Sequence, residues 1–299
     1  MPRSVSKRSF VVGHSRDLWF VLLFATSIGI WWRGLVEAFR LALSSEAHTH
    51  ILLILPLSVA LAFTQRKGGR NGFESHKMGF LLLALILIGS LVYARTDFKW
   101  DPSLSMFALV TWWIGSLIAC YGMSALRAYL FPVLFLYWLV PWPSFALDRA
   151  ISCLQILSAY AGRFLLVIGG IPVTQDGTLL SMASFDIDVA PQCSSIRSSL
   201  MLLITTIVLG QLFLRSWPRK LALVAAVVPL AALKNGLRIF TLVEIGTRYD
   251  PGIFDSDLHH HGGVVFFLIS VALMVLLLWI MRRSEKVNVP SLEVAAEPS

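Results

Sequence analysis

Eight apolar runs constrain this chain more than any motif in it. They lie near residues 18–32, 51–64, 78–94, 104–122, 128–142, 196–214, 221–240 and 264–281. Each approaches the roughly 20 residues that a helix needs to cross about 30 Å of hydrocarbon, the second and fifth drawing on their neighbours to do so. Composition points the same way. Of 299 residues, 57% are hydrophobic and 14% charged, whereas about a quarter are charged in soluble domains. The expectation is an all-α polytopic membrane protein of about eight transmembrane helices. Residues 1–286 read as a single polytopic domain. Residues 287–299, with Pro290, Glu293, Glu297 and Pro298, read as a disordered cytoplasmic tail.

One further stretch, 146–170, divides the reading. Asp148, Ser152, Gln155, Ala159 and Arg163 recur at helical spacing on one polar or small face, which suits an interfacial or re-entrant helix that does not cross. The charges support that count. Net charge is +8, but the basic residues sit in short clusters between the apolar runs, which sets membrane orientation and implies no nucleic-acid partner. With the N-terminus inside, fifteen of the 25 Lys and Arg residues fall on the cytoplasmic side and eight outside, Arg197 and Lys234 lying within helices. The N-terminal basic cluster, Arg3 to Arg16, resembles the start of a signal peptide; with further spans behind it, a retained first helix is the expectation. Three cysteines, Cys120, Cys153 and Cys193, are too few for a disulfide framework or a four-ligand zinc site.

The stretch from Val189 to Leu200 carries the chemistry. Phe185, Ile187 and Val189 alternate with Asp186 and Asp188, the period of a half-buried strand, so a short β-like loop is expected on the outer face. Pro191 ends it, and Ser194 and Ser195 favour a helix start, which places Cys193 at a helix N-terminus. There the unpaired N–H groups and the helix dipole favour a thiolate, the species that attacks carbonyl carbon. Cys120 and Cys153 are most simply packing residues.

Two further groups come from neighbouring outer helix ends. Arg238 lies 17 residues into the run that starts at 221, about 26 Å along a helix, with Asn235 three residues earlier on the same face. The last run begins directly after Asp255 to Gly263, which holds His259, His260 and His261. A thiol, an imidazole and a guanidinium together supply the parts of thiol acyl transfer: nucleophile, general acid/base and thiolate or oxyanion stabiliser. Arg238 equally fits an arginine that snorkels to the headgroups, and Arg197, one turn after Cys193, fits that reading better than a catalytic one. His48 and His50, on the outer side ahead of Ile51, read as interface residues rather than ligands, or as a border of the same cleft.

Cys193-Ser194-Ser195-Ile196-Arg197-Ser198, then Asn235-Gly236-Leu237-Arg238-Ile239, then His259 followed by Gly263 and Phe267, resemble the ordered Cys, Arg and His motifs of the exosortase/archaeosortase family. Pro141-Trp142-Pro143 and Gly170-Ile171-Pro172-Val173 resemble weaker features of the same family. Ser195 stands where the family usually has Gly, and His260 and His261 stand where it often has Glu and a small residue. The resemblance implies a cysteine protease and transpeptidase of the bacterial inner membrane, with Cys193 as nucleophile, His259 as general acid/base, Arg238 as stabiliser, and Asn235, Ser194 and Arg197 in support. It implies no cofactor and no metal. Its substrates would be exported proteins with a tripartite C-terminal signal: a Pro-Glu-Pro-like motif, an apolar helix and a basic end. The acyl group would pass to water or to an amine on an exopolysaccharide-linked acceptor. The alternative from the residues is a metal-dependent transporter or metalloprotease using His259, His260 and His261 with Asp255 or Asp257; no His-Glu-x-x-His is present. A scaffold without chemistry is the third reading.

Overall fold

The computed structural model describes residues 6–64, 76–95, 101–183, 186–189, 196–248 and 263–287. The chain forms two compact units, one ending at Pro143 and the other beginning at Ser144.

The first unit is helical. Helix α1 (Ser6–Ile30) turns by 73° into α2 (Trp32–Ser44); α3 (Ile51–Thr64), α4 (Lys77–Ala94) and α5 (Pro102–Tyr121) follow, then the short α6 (Met123–Ala128) and α7 (Leu130–Phe135). Helix α5 is the most enclosed of the candidate spans, and α1, α2 and α4 pack on it, whereas α3 packs on α2 and α7. Its ends are set locally. Asp101 caps it by accepting from the Ser103 N–H at 2.8 Å, Pro102 occupies the first turn, and Gly122 stops it at φ 86°. Trp112 and Trp113 use their indole N–H groups to tie it to α1, at Leu23 O and Ser27 Oγ, both at 2.9 Å. A buried indole pays its apolar area into the core only when that N–H has a partner.

The second unit comprises α8 (Ser144–Ile168), a three-stranded antiparallel sheet, α9 (Ile196–Phe213), α10 (Trp217–Ala225), α11 (Val227–Arg248) and α12 (Gly263–Val287). Strands β1 (Val173–Asp176), β2 (Leu179–Met182) and β3 (Asp186–Asp188) pair in sequence order. A two-residue turn, Gly177-Thr178, joins β1 to β2, and Gly177 takes φ +60°, which this tight hairpin requires. β3 alternates as its sequence predicts: Asp186 and Asp188 are exposed and Ile187 turns inward. Leu180 and Val189 pack with Ala159 and Leu166 of α8 and Ile239 and Val243 of α11.

Two helix pairings order this unit. Helices α8 and α11 run parallel, because Ser158 meets Asn235, Gly162 meets Ile239 and Leu166 packs with Val243, ascending in both. They approach closely: a Cβ at Gly236 would lie 2.7 Å from Ala161 Cβ and 2.9 Å from the Gly162 nitrogen. Gly236→Ala is therefore expected to force the pair apart and cost roughly 1–3 kcal/mol. Gly89→Ala, with nothing within 4 Å of its built Cβ, should be neutral or slightly stabilising; thermal melts of both variants in one detergent check this. Helices α9 and α11, with α10 continuing α11 backward, run antiparallel. Gln211 accepts from Lys220, Gly210 lies against Leu223, and Ser198 meets Lys234, descending in α9 as the partner ascends. Helix α12 runs parallel to α9. Met274 packs with Leu202 and Val227, Leu278 with Leu214 and Leu223, and the Glu285 carboxylate accepts from the N–H groups of Arg215 and Ser216.

Among the described residues, seven helices are long and apolar enough to cross a membrane, or eight if the bent α1–α2 pair is one span. The number matches the sequence expectation, but the fifth member changes. Residues 128–142 break into α7 and a 3-10 turn, Leu136–Leu139, where Pro141 and Pro143 prevent continuation. The stretch 146–170, read from sequence as an interfacial or re-entrant helix, lies mostly within one 25-residue helix, Ser144–Ile168, that is long and apolar enough to cross. The physical reason is where its polar groups go. Gln155 and Ser158 turn inward to protein partners, Val189 O and the Asn235 side chain, so the helix needs no headgroups to satisfy them.

Candidate functional site

Three helix ends meet at one end of the second unit. Helix α9 starts there, α12 starts there by its parallel packing on α9, and the part of α11 beyond Lys234 stands alongside. The sheet packs on the same end of α8 and α11 through Leu180, Val189, Ile239 and Val243.

The chain that enters α9 is fixed at its upstream side. Val189 donates its N–H to Thr178 O at 3.1 Å, and its carbonyl accepts from Gln155 Nε2 at 2.7 Å. Thr178 Oγ1 donates to the Asp188 carboxylate at 2.8 Å, closing the turn over the end of β3. Gln155 is thus a positioning residue for this segment, and sequence reasoning placed it only on a polar helix face. The signal that could have found it was the lone amide amid apolar neighbours, since a buried amide requires a partner.

Of the sequence-predicted residues, Asn235, Arg238 and Arg197 lie within the described structure. Asn235 is buried at 1% exposure and donates from Nδ2 to Ser158 Oγ at 3.0 Å. Ser158 in turn donates to Leu154 O at 2.5 Å, so the pair forms a polar relay across the α8–α11 contact. Arg238, half-buried, follows Asn235 by three residues on α11 and thereby stands at the end where α9 begins. Arg197 is exposed on the first turn of α9, as a snorkelling side chain would be. Cys193, Ser194, His259, His260, His261, Asp255 and Asp257 lie outside the described residues.

Lys234 was not singled out from sequence, and it belongs to this end of the unit. It is 4% exposed and donates from Nζ to Ser198 Oγ in the first turn of α9. The next residue, Ser199, is also buried, with its Oγ unpartnered. Cys120 is buried as a packing residue, but Cys153 is exposed on α8 and does not fill the core. His48 and His50, read from sequence as interface residues, are buried at 7% and 2% exposure. Each folds its Nδ1 back onto the turn before α3, at Ser45 Oγ (3.1 Å) and Ala47 O (3.0 Å), so the imidazoles serve the turn. Among the described residues no three His, Cys, Asp or Glu side chains gather as a metal-binding group.

Comparison with known proteins bears on the whole chain. No functionally curated protein and no solved structure matches it significantly. The profile of the transmembrane exosortase family matches residues 17–276, which run from within α1 to the middle of α12 and include the starts of α9 and α12 and all of α11. The chain is a multi-pass member of the transmembrane exosortase family.

Proposed function

We propose that this protein is a cysteine protease and transpeptidase that removes the C-terminal sorting signal of exported proteins at the outer face of a bacterial inner membrane. The single observation that carries the reading is the antiparallel register of α9 on α11. Ser198 meets Lys234, so the start of α9 at Ile196 stands toward the Arg238 end of α11, which supports a Cys193–Arg238 pairing. Cys193 is three residues from Ile196, a reach of at most about 11 Å, and His259 is four from Gly263, at most about 14 Å. Both starts lie at the same end of the unit.

In this reading His259 takes the Cys193 thiol proton and the thiolate attacks the scissile carbonyl carbon. Arg238 and the N–H groups at the α9 start hold the negative oxygen of the tetrahedral intermediate. The C–N bond then breaks, His259 returns the proton to the leaving amine, and the acyl group remains as a thioester on Cys193. Water, or an amine on an exopolysaccharide-linked acceptor, gives its proton to His259 and attacks the thioester. The C–S bond breaks and the thiol is restored. The substrate would arrive on its own apolar helix, presenting a Pro-Glu-Pro-like motif just outside the bilayer.

The orientation follows from charge. With 144–168 as the fifth span in place of 128–142, every later cluster keeps its side and Arg149 joins the basic side. The bias becomes sixteen against seven, which supports cytoplasmic termini and an outward-facing site.

Arg238→Lys tests the site. Lysine keeps the charge but loses the planar fork, so release of a reporter carrying such a tail should fall by roughly 10²–10³-fold, as on loss of an oxyanion donor. A snorkelling arginine would tolerate the change, and near-parental release would remove Arg238 from the mechanism.

A further inference from the structure

Within the first unit, helices α4 and α5 close at one end and part at the other. At the tight end a Cβ on Gly79 would lie 2.8 Å from Gly115 O, and one on Gly115 would lie 3.1 Å from Leu83 Cδ2. Further along α4, a Cβ on Gly89 would meet nothing within 4 Å, so a single methyl group there leaves the space open. Between the parted halves lies a cleft of about 380 Å³, lined on α4 from Leu85 to Tyr93, on α5 from Leu104 to Ala108, and by Trp31 at the α1–α2 bend. Tyr93 straps the far end: its hydroxyl accepts from the Asp101 N–H at 3.2 Å. The opening that remains is sideways, past the exposed Leu85, Ile88 and Val92, into the hydrocarbon around a membrane helix.

Three observations constrain what fills it. Leu85 to Tyr93 covers about 12 Å along a helix, well short of the roughly 30 Å that a spanning peptide needs, so the space suits an alkyl chain and not a helix. Ser105 is 3% exposed, and its Oγ has no protein partner. A buried hydroxyl in hydrocarbon needs an acceptor, and an ester carbonyl is one. The third observation is charge. Arg95 ends α4, and Arg33 is next to Gly34, on which a Cβ would lie 3.0 Å from Ser105 Oγ; both arginines are exposed. The nearby carboxylates are engaged, Glu37 with Arg40 at 3.6 Å and Asp101 with the Ser103 N–H at 2.8 Å. Residues 96–100, outside the described structure, add one charge of each sign, Asp97 and Lys99.

We propose that this cleft binds an anionic glycerophospholipid: one acyl chain lies between α4 and α5, an ester carbonyl accepts from Ser105, and the phosphate meets Arg33 and Arg95. Basic side chains beside an apolar cleft attract anionic headgroups at the membrane surface. The bound chain completes the α4–α5 contact, which the Gly79 to Leu83 half makes through protein atoms alone.

The test uses the full chain in phosphatidylcholine nanodiscs holding a trace of phosphatidylglycerol with a diazirine on one acyl chain, the labelled residues being mapped by mass spectrometry. Labelling of α4 beyond Leu85 and of α5 before Leu109 should saturate. Unlabelled phosphatidylglycerol should displace it, and neither phosphatidylcholine nor glycerol 3-phosphate should. Arg33→Gln combined with Arg95→Gln should melt as the parent does and weaken binding roughly tenfold; Ser105→Ala should weaken it about fivefold. Ala108→Phe, which fills the cleft, should abolish saturable labelling, and if that variant misfolds the arginine variant decides. Labelling that never saturates, or that phosphatidylcholine displaces equally, marks bulk lipid and overturns the site. Unchanged binding in the arginine variant overturns it as well. Displacement by an apolar peptide with a basic end, and not by phosphatidylglycerol, gives the cleft to a helix and overturns it too.

Discussion

Cys193→Ser is expected to abolish processing while the protein stays folded in the membrane and uncleaved precursor accumulates. The physical reason is the difference between a thiol and a hydroxyl at one position. A thiol near a helix start and beside cations ionises at accessible pH, whereas a serine hydroxyl there has no comparable route to an anion. Losing a nucleophile typically costs several orders of magnitude in rate, more than losing any single stabilising donor. The measurement is the ratio of mature to precursor forms of an exported reporter with an apolar, basic-ended tail. The parent and Gly89→Ala would serve as controls for expression and insertion. Normal maturation in Cys193→Ser would end the thioester mechanism and leave family membership as it stands.

The second large effect separates three adjacent histidines. The inward face of α12 at its start is Gly263, Phe267, Ser270 and Met274, while Val264, Val265, Leu268 and Ile269 are exposed. If that helix extends back one turn, His259 shares this face and His260 and His261 point about 100° and 200° away. His259→Ala should abolish cleavage and also slow alkylation of Cys193 at neutral pH, because the thiolate loses its imidazole partner. His260→Ala and His261→Ala should change substrate preference or do little. Inactivity of His261→Ala with activity of His259→Ala would shift the motif by two residues. Inactivity of all three, rescued by zinc, would favour the metal-dependent reading instead.

The same site explains what a reader of the sequence misses. Asn235 and Arg238 stand out because polar side chains are rare at that depth in an apolar run. Lys234 sits beside them and passes as one more charge, since nothing local shows that its side chain turns inward to Ser198. Gln155 misleads more actively. On paper a polar stripe along 146–170 is the mark of a helix lying in the headgroups, yet Gln155 of that stripe turns inward to Val189 while Asp148, Ser152 and Arg163 stay exposed. The preceding run, 128–142, is apolar enough to span but carries the prolines that break it.

By itself the sequence determined the properties that depend on composition and short-range pattern. These are helices long enough to cross a bilayer, a β-like segment alternating through Ile187, a helix starting after Pro191, and an ordered set of Cys, Arg and His motifs. Such features are local: a bilayer selects for length and apolarity, and a strand or helix start is decided within a few residues. Which helix is the fifth of span length, and that α8 lies parallel to α11 with Gly236 against Ala161, only the tertiary structure decided. So too with the pairing of Lys234 to Ser198 across 36 positions. A polar side chain declares its need for a partner in the sequence, but the partner's identity depends on which helices pack together, and that is a property of the whole fold.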